Sequence, residues 1–414
     1  MPPHARRRLV TALALAVAAC SDGGTTGTPM PPVITIAGVI DGGAYDDPVT
    51  ITVTVDRGSY EATLNGAAFV SGRTVDAPGV YVLAVTAHAS GQTAQRSVGF
   101  EIRLTGSSVL IVRLFNLGAN AAGGGGDAIL LTDSSAGGQV HGLVDAGPAG
   151  ANAVDPAFVA RRLAALGVDS LAFVALTHAH SDHYAGMIPV LNQAAVARFY
   201  YNGQVRSLAS YTAALDSAFA RADTVIAPTA VAQLVLGRDT ATTGVAILPP
   251  LPTWIGVDTD SASVLNDGSL GIEVRRGAFR MFLTGDGEVA ANQRWRTQFA
   301  AFTGGLDVLK VGHHAANDAV FDNGFSGSSA WLAHTAPDVA IASANGTSHP
   351  RINATAALLA RPGLRTYCTN VHGAIEIRIN PQGRYRVDLE RNAGDACSPG
   401  TDADTQAAGA RSPG

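Results

Sequence analysis

The residues best suited to chemistry lie between residues 171 and 187, in the stretch LAFVALTHAHSDHYAGM. An apolar run ends there in three histidines and one aspartate within six residues. Imidazole nitrogens and carboxylate oxygens are the ligands that Zn²⁺ and similar divalent ions prefer. A strand that ends in a tight loop can direct alternate side chains to one place, so His178 and His180 could bind one ion, and Asp182 and His183 a second. The alternative is a polar, solvated loop after a core strand.

Other apolar runs also end in polar residues of these types. GLVDAG ends in Asp145, MFLTGDGE presents Asp286 between two glycines, and VLKVGHH ends in His313 and His314. Functional groups gather where the strands of open sheets end, so we expect these residues to join the histidine loop. A lone GD is weak evidence, but HAHSDH, GD and HH in this order are a specific combination.

The composition is that of a globular chain with a large core. It has 414 residues, of which 47% are hydrophobic and 15% charged, enough for two or three domains. This excludes a disordered or coiled-coil chain. The formal net charge of −5 supplies no basic field that would attract nucleic acid, so such a partner would have to be held locally.

Residues 1–20 have the features of an export signal. Three arginines precede an apolar segment, residues 9–17, that is too short to span a bilayer as a mature helix. VAAC follows and resembles a bacterial lipobox, in which the cysteine, here Cys20, is lipidated; an ordinary signal peptide is the alternative. We therefore expect an exported bacterial lipoprotein that contacts membrane only through its lipid anchor, at the outer membrane if the organism has one.

Residues 21–32 form a Gly/Thr/Pro linker, and residues 33–104 alternate apolar and polar positions with period two. Short, regularly spaced turns separate these runs, which predicts a small all-β sandwich. The segment resembles the bacterial Ig-like domains found beside exported enzymes. Such a domain would act as a spacer or contact an envelope polymer or protein.

From residue 108 to residue 391, buried strands and helices interleave, which predicts an α/β fold with two sheets and outer helices. Residues 392–414 are rich in Gly, Ala, Ser and Asp and are predicted to form a flexible tail. In an oxidising compartment Cys368 and Cys397 could pair; two unpaired cysteines are the alternative.

Residues 108–391 resemble the αββα sandwich of the metallo-β-lactamase fold. More narrowly, they are similar to the C-terminal hydrolase domain of ComEC-type DNA-uptake proteins. The resemblance is carried by LTHAHSDHYAGMIPVL, by NDGSLGIEVRRGAFRMFLTGD, by LDVLKVGHHAAND and by the late NGTSHP loop. Together these motifs are far more specific than HxHxDH alone.

Residue by residue, the resemblance implies a site for two divalent ions, with Zn²⁺ expected and Mn²⁺ as the alternative. His178 and His180 would bind the first ion. Asp182 and His183 would bind the second, and Asp286 would bridge both.

The second ion needs one more ligand, which the resemblance assigns to His313 or His314. The sequence does not distinguish the two; His313 is placed first, and the other is expected to contact substrate or support the ligands. Asp145 would orient a metal-binding histidine, and with Asp182 and Asp286 it makes up the predicted catalytic carboxylates.

Two departures from the family pattern bear on the site. No histidine lies between His183 and His313, where many members of the fold place another ligand, although ComEC-type domains commonly lack it too. The first ion is then one ligand short, and water, Asn266 or substrate would fill the gap. The HHGS of many relatives is HHAA here, so Ala315 and Ala316 remove a hydroxyl near the site.

Four further residues are candidate substrate contacts. Asn266 and Ser269 lie in the NDGSL stretch, and His349 lies in the NGTSHP loop. Lys310, the only lysine of the chain, would bind a phosphate or product anion, and an ordinary strand-edge lysine is the alternative. His372 precedes Gly373 in a predicted turn, with a functional role as the alternative, and the remaining histidines are most simply surface or locally hydrogen-bonded residues: His4, His88, His141 and His334.

Two divalent ions about 3.5–4 Å apart can share a water and lower its pKa to near neutral, and the resulting metal-bound hydroxide would attack a carbonyl or phosphorus centre. We therefore expect an exported metal-dependent hydrolase. The ComEC resemblance makes it a phosphodiesterase or nuclease, with DNA as a candidate substrate. One alternative is a metallo-hydrolase of another exported ester, lactone or choline-phosphate substrate. A second is a surface binding protein with a degenerate hydrolase domain.

Overall fold

The computed structural model describes residues 30–45, 48–77, 79–102, 108–117, 125–135, 137–147, 155, 157–237, 243–391, 394 and 396–401. The predicted signal peptide with Cys20, most of the linker and the last part of the tail lie outside these residues.

The N-terminal strands form two small sheets, ordered β1-β3-β6 and β2-β8-β7-β4-β5. Alternate side chains of both sheets, such as Ile51 and Leu83, belong to one buried hydrophobic cluster. That this pair of sheets is an Ig-like domain stays a prediction. The strands are β1 (Ile34–Ala37), β2 (Gly43–Tyr45), β3 (Val49–Val55), β4 (Ser59–Leu64), β5 (Ala67–Ala68), β6 (Arg73–Val75), β7 (Gly79–Ala89) and β8 (Gln92–Ile102).

The later strands form two large sheets. In chain order they are β9 (Val109–Leu114), β10 (Ile129–Ser135), β11 (Gly138–Val144), β12 (Ser170–Leu171), β13 (Phe173–Leu176), β14 (Ala195–Tyr201), β15 (Ala222–Ile226), β16 (Ala232–Leu236), β17 (Thr243–Leu248), β18 (Gly271–Arg276), β19 (Phe279–Leu283), β20 (Val308–Lys310), β21 (Val339–Ala342), β22 (Arg365–Cys368), β23 (Ile375–Ile379) and β24 (Tyr385–Leu389).

The first large sheet has the order β12-β14-β13-β11-β10-β9-β23-β24, with β15 beside β14, and the second has the order β16-β17-β18-β19-β20-β21-β22. β11 and β13 are parallel, as are β19, β20 and β21. β10 is antiparallel to β11, and β18 to β19. Consequently the ends of the parallel strands and the starts of β10 and β18 lie at one edge of each sheet.

Helices connect the strands and cover the outer faces of the sheets. They are α1 (Phe158–Ala165), α2 (Ser181–Tyr184), α3 (Met187–Gln193), α4 (Ala209–Arg221), α5 (Ala262–Asp267), α6 (Val289–Gln298), α7 (Ala300–Thr303), α8 (Asn317–Val320), α9 (Ala330–Thr335), α10 (Ile352–Leu359) and α11 (Thr369–His372). Among the described residues, none of the helices combines the length and apolar character needed to cross a membrane.

Three buried clusters define four layers. Val112 of β9 and Ile272 of β18 belong to the cluster between the two large sheets. Leu143 of β11 and Leu163 of α1 belong to a second cluster on the outer face of the first sheet. Trp295 of α6 packs in a third cluster on the second sheet. The predicted mixed α/β architecture is confirmed, and its helix–sheet–sheet–helix layering is compatible with a metallo-β-lactamase fold.

Cys368, at the end of β22, forms a disulfide with Cys397. Nearby, Nε2 of His372 lies 2.9 Å from the carbonyl oxygen of Gly394. Of the two alternatives left open for the cysteines, the structure has the paired one.

Residues 396–401, which lie within the predicted flexible tail, are bonded to the body of the protein. The backbone N–H of Gly400 donates to the carbonyl of Pro350 at 2.9 Å, and that of Thr401 donates to Gly346 at 3.0 Å. The disulfide and these hydrogen bonds hold the segment on the body, which its composition alone does not indicate. Residues 402–414 lie outside the described residues.

Candidate metal centre

The candidate site lies where strand ends of the two large sheets meet. Asp145 follows β11, His178 and His180 follow β13, Asp286 follows β19, and His314 follows β20. The two sheets face each other across their shared core, so their common edges converge. Strand direction therefore brings together residues that are far apart in the chain.

Asp182, His183, Asp286 and His314 form the central group, with ligand atoms all within 4.8 Å of one another. Oδ2 of Asp286 lies 3.1 Å from Nε2 of His183 and 3.3 Å from Nε2 of His314. Oδ2 of Asp182 lies 3.1 Å from the same nitrogen of His314. These distances are those of atoms that share one ion.

His178 and His180 form an adjoining group that also includes Asp286. Nε2 of His178 lies 3.1 Å from Nδ1 of His180 and 3.9 Å from Oδ2 of Asp286. Because Asp286 belongs to both groups, its carboxylate is placed to bridge two ions.

Several buried atoms of these groups have no hydrogen-bond partner among the described residues. They include Oδ1 of Asp286 and Nε2 of His183, which lies 3.1 Å from Oδ2 of Asp286 but not in hydrogen-bonding geometry. A buried polar atom without a partner is costly, and a divalent cation would satisfy both types of atom. The donor set of imidazole and carboxylate therefore fits a pair of divalent metal ions.

Neighbouring groups fix which ring nitrogen of each histidine faces the centre. Nδ1 of His183 lies 2.8 Å from Oδ2 of Asp145, and Nδ1 of His314 lies 2.8 Å from the carbonyl oxygen of Ser343. Both oxygens accept a hydrogen bond, so Nδ1 carries the proton and Nε2 is left as a ligand. Asp145 is held in turn by the N–H and hydroxyl of Thr177, each at 2.8 Å.

Without metal, the carboxylates of the central group favour the charged form of its imidazoles. Burial opposes the charged ring of His183, but Asp286, Asp145 and Asp182 outweigh it and raise its pKa well above the usual value. The pKa of His314 rises to about 9 for the same reason. Burial favours the neutral form of Asp286, but His183 and His314 hold its pKa well below its usual range.

In the adjoining group the pKa values of the histidines are lowered rather than raised. Burial, reinforced by the charge of His183, lowers the pKa of His178 well below its usual value. Burial also lowers the pKa of His180. Both rings are therefore neutral at physiological pH, which is the form that binds metal.

Lys310 does not occupy the predicted substrate position. Its side chain is fully buried, forms an ion pair with Asp127 and donates to the carbonyl of Gly285 at 2.8 Å. Its ammonium also lies 3.7 Å from Oδ1 of Asp286, and these carboxylates raise its pKa against the effect of burial. Lys310 thus lies buried among the carboxylates of the site, on a central strand of the second large sheet rather than at an exposed strand edge.

Of the two candidate ligands His313 and His314, His314 belongs to the central group and His313 lies outside it. Its Nδ1 is 3.1 Å from Asp318 and 3.3 Å from Glu288. The two histidines diverge because His313, His314 and Ala315 all have left-handed backbones, with φ of 44°, 54° and 62°. This conformation is uncommon for residues other than glycine, so the sequence pattern did not indicate it.

The other predicted substrate residues differ in their placement. Ser269 is buried and accepts the backbone N–H of Asp286 at 3.2 Å, so it supports the turn rather than a substrate. Asn266 is also buried and donates to Glu288 at 2.7 Å. The ring of His349 lies 5.4 Å from that of His313, which places it beside the site.

The remaining histidines of the described region have local partners. His88 bonds Thr93, His141 bonds Thr132, His334 bonds Thr303, and Nδ1 of His372 lies 3.0 Å from the carbonyl oxygen of Cys368.

Three residues near the site were given no role from the sequence. Asp127 forms an ion pair with Lys310. It lies just before β10, and because β10 is antiparallel to β11, the start of β10 lies beside the end of β11, where Asp145 follows. This position was a signal that the sequence offered. Glu288 stands two residues after Asp286, in GDGE. Arg206 donates to the carbonyl of Ala179, within the histidine loop, at 2.8 Å, and no motif marks it.

No protein-family model matches the chain, and no curated protein matches it. Among solved structures, the chain is similar to a diphosphatase from the PhnP family, with 11% identity and a TM-score of 0.34. The match covers 66% of this chain and 98% of that one. At this level of similarity the match assigns neither a fold nor an activity to the chain.

Proposed function

We propose that this protein is a metal-dependent phosphodiesterase with a metallo-β-lactamase fold. The observation that carries the proposal is the central group of Asp182, His183, Asp286 and His314, which adjoins a second group through Asp286. The buried, unpartnered nitrogen of His183 supports a metal rather than a purely structural role.

Each residue of the site has a proposed role in metal binding or in supporting the ligands. His178, His180 and Asp286 would hold one divalent ion, and Asp182, His183, Asp286 and His314 would hold the other. When bound, such ions supply a nucleophile from water at neutral pH and stabilise the negative charge that develops on the substrate. Asp145 keeps the ring of His183 in place, and Lys310 offsets part of the negative charge of the buried carboxylates.

The phosphodiester substrate, with DNA as a candidate, is supported by the ComEC-like motifs, and so is the narrower assignment to that hydrolase type. Export as a lipoprotein is supported by the basic and apolar residues before Cys20. An oxidising compartment is consistent with the Cys368–Cys397 disulfide. The N-terminal sheets would then hold the hydrolase away from the membrane or contact an envelope polymer.

The test is hydrolysis of bis(p-nitrophenyl) phosphate and of single-stranded DNA with added Mn²⁺ or Zn²⁺. We expect turnover by the native protein and its loss in Asp182→Ala and Asp286→Ala. Asp388→Ala, a carboxylate of β24 in a surface ion pair with Arg386, is the matched control and should retain activity.

The outcomes separate the alternatives. Turnover without metal dependence would contradict the proposal. Bound metal with no turnover on either substrate would contradict the phosphodiesterase assignment and favour a carboxylic or choline-phosphate ester as the substrate. Absence of both metal and turnover would favour a surface binding protein with a degenerate site.

A further inference from the structure

A third group of ligand atoms lies beside the central group and shares no residue with it. Glu288, His313 and Asp318 place their ligand atoms within 4.8 Å of one another. Nδ1 of His313 is 3.3 Å from Oε1 of Glu288 and 3.1 Å from Oδ1 of Asp318. Two atoms bound to one Zn²⁺ or Mn²⁺ lie about 3.0–3.5 Å apart, so the spacing suits a shared cation.

The backbone conformation of His313 and His314 separates this third group from the central group. His313 and His314 follow each other in the left-handed turn, so their rings point to different carboxylates, those of Glu288 and Asp318 for one and those of Asp182 and Asp286 for the other. The main chain at Glu288 is held because its N–H donates to Oδ1 of Asp267 at 3.0 Å. The ligand atoms of the three side chains lie together in the structure without an ion.

The buried amide of Asn266 contacts this group and has one end without a hydrogen-bond partner. Asn266 is 1% exposed, and its Nδ2 donates at 2.7 Å to Oε1 of Glu288, the same oxygen that faces His313. Its Oδ1 has no hydrogen-bond partner in the described part of the chain. A half-turn of the amide exchanges the two ends, which would turn that oxygen toward a cation held by Glu288.

Charge balance favours another cation as well. Among the described residues, the carboxylates of these groups and their supports outnumber the single lysine seven to one, a net charge of −6 when the imidazoles are neutral. Two divalent ions leave two negative charges uncompensated, whereas a third balances them. The carboxylates are Asp127, Asp145, Asp182, Asp267, Asp286, Glu288 and Asp318.

We propose that Glu288, His313 and Asp318, with the amide of Asn266, form a third site for a divalent cation, Zn²⁺ or Mn²⁺, beside the central pair. The proposal concerns binding alone and does not depend on the substrate. The competing arrangement is a proton on Nδ1 of His313 shared by the two carboxylates.

The test is the metal content of the purified full-length protein after it is loaded with Zn²⁺ or Mn²⁺ and desalted, measured by mass spectrometry. We expect three equivalents in the native protein and in the control Asp388→Asn. Asp318→Asn and Glu288→Gln should each lose one equivalent and keep two. Asp286→Ala should lose metal from the central pair.

Two equivalents or fewer in the native protein would overturn the proposal, and so would three equivalents retained in both Asp318→Asn and Glu288→Gln. Circular dichroism checks that each variant is folded; if both fail to fold, the native count alone decides. Because activity is not the readout, a protein that binds three ions but cleaves no phosphodiester would contradict only the proposed function.

Discussion

At the scale of single residues, Asp145 decides which nitrogen of His183 faces the centre, because its carboxylate lies 2.8 Å from Nδ1. Its left-handed backbone, with φ of 57°, aims the carboxylate at both Thr177 and His183. Asp145→Asn keeps the size of the side chain but removes the charge that supports the ring. We expect metal affinity to fall about 10–100-fold, measured by competition with a chelator.

Asp388→Asn is the control for this change, because it removes a surface carboxylate of the same type. An Asp145→Asn variant with the affinity of the native protein would show that His183 is oriented by its packing alone.

The charge of His314 predicts a pH dependence in the metal-free protein. Burial opposes the charged ring, but Asp286 and Asp182 raise its pKa from 6.5 to about 9. A raised folded-state pKa stabilises the protein fully below the unfolded value, and this contribution is lost as the pH rises through about 9. We expect the free energy of unfolding in chelator to fall between pH 6.5 and pH 9.

His314→Gln isolates this contribution. The stability difference between the native protein and the variant, measured by urea unfolding, should shrink as the pH rises across that range. A constant difference would mean that the ring of His314 is not charged in the metal-free fold.

Most of the candidate metal ligands could be predicted from residue type and motif order. His178, His180, Asp182, His183, Asp286 and His314 lie together as the motif order suggested. The burial of Lys310 could not be predicted, because its partner Asp127 is far away in sequence and no spacing rule connects them.

At the scale of elements, the left-handed turn of His313, His314 and Ala315 separates the two neighbouring histidines. Each left-handed residue other than glycine costs about 1–2 kcal/mol. Ala315 has φ of 62°, whereas the next residue, Ala316, has φ of −71°. Both are buried, so replacement by glycine removes a buried methyl and adds unfolded-chain entropy in either case.

Only Ala315→Gly relieves strain. We therefore expect it to destabilise the protein less than Ala316→Gly does, by about 1–2 kcal/mol in urea unfolding. Equal effects of the two substitutions would contradict a strained turn at Ala315.

Sequence periodicity predicted the strands better than the connections. α4 begins at Ala209 and α1 begins at Phe158, and neither has a side-chain hydrogen bond at its N-cap residue. Oδ1 of Asp155 accepts the N–H of Ala157 at 3.0 Å, so it stabilises the preceding turn. Helix ends depend on such local bonds, which residue type alone does not determine.

At the scale of the whole molecule, the disulfide between Cys368 and Cys397 joins the C-terminal segment to the second large sheet. It spans 29 residues, and closing a loop of that length stabilises a protein by about 3.6 kcal/mol. We expect Cys397→Ser to lower the free energy of unfolding by about that amount, measured by urea denaturation.

A reductant provides the control. It should lower the stability of the native protein to that of Cys397→Ser and leave the variant unchanged. A native protein that is equally stable with and without reductant would show that the bond does not constrain the unfolded chain.

The central claim is that the residues at the converging strand ends of the two large sheets form a metal-dependent hydrolytic centre. Its most direct test is the rate of bis(p-nitrophenyl) phosphate hydrolysis by chelator-treated protein, before and after Zn²⁺ or Mn²⁺ is restored. We predict no turnover without metal, recovery when metal is added, and no recovery in Asp286→Asn. Turnover that survives the chelator, or that returns in Asp286→Asn, would contradict the claim.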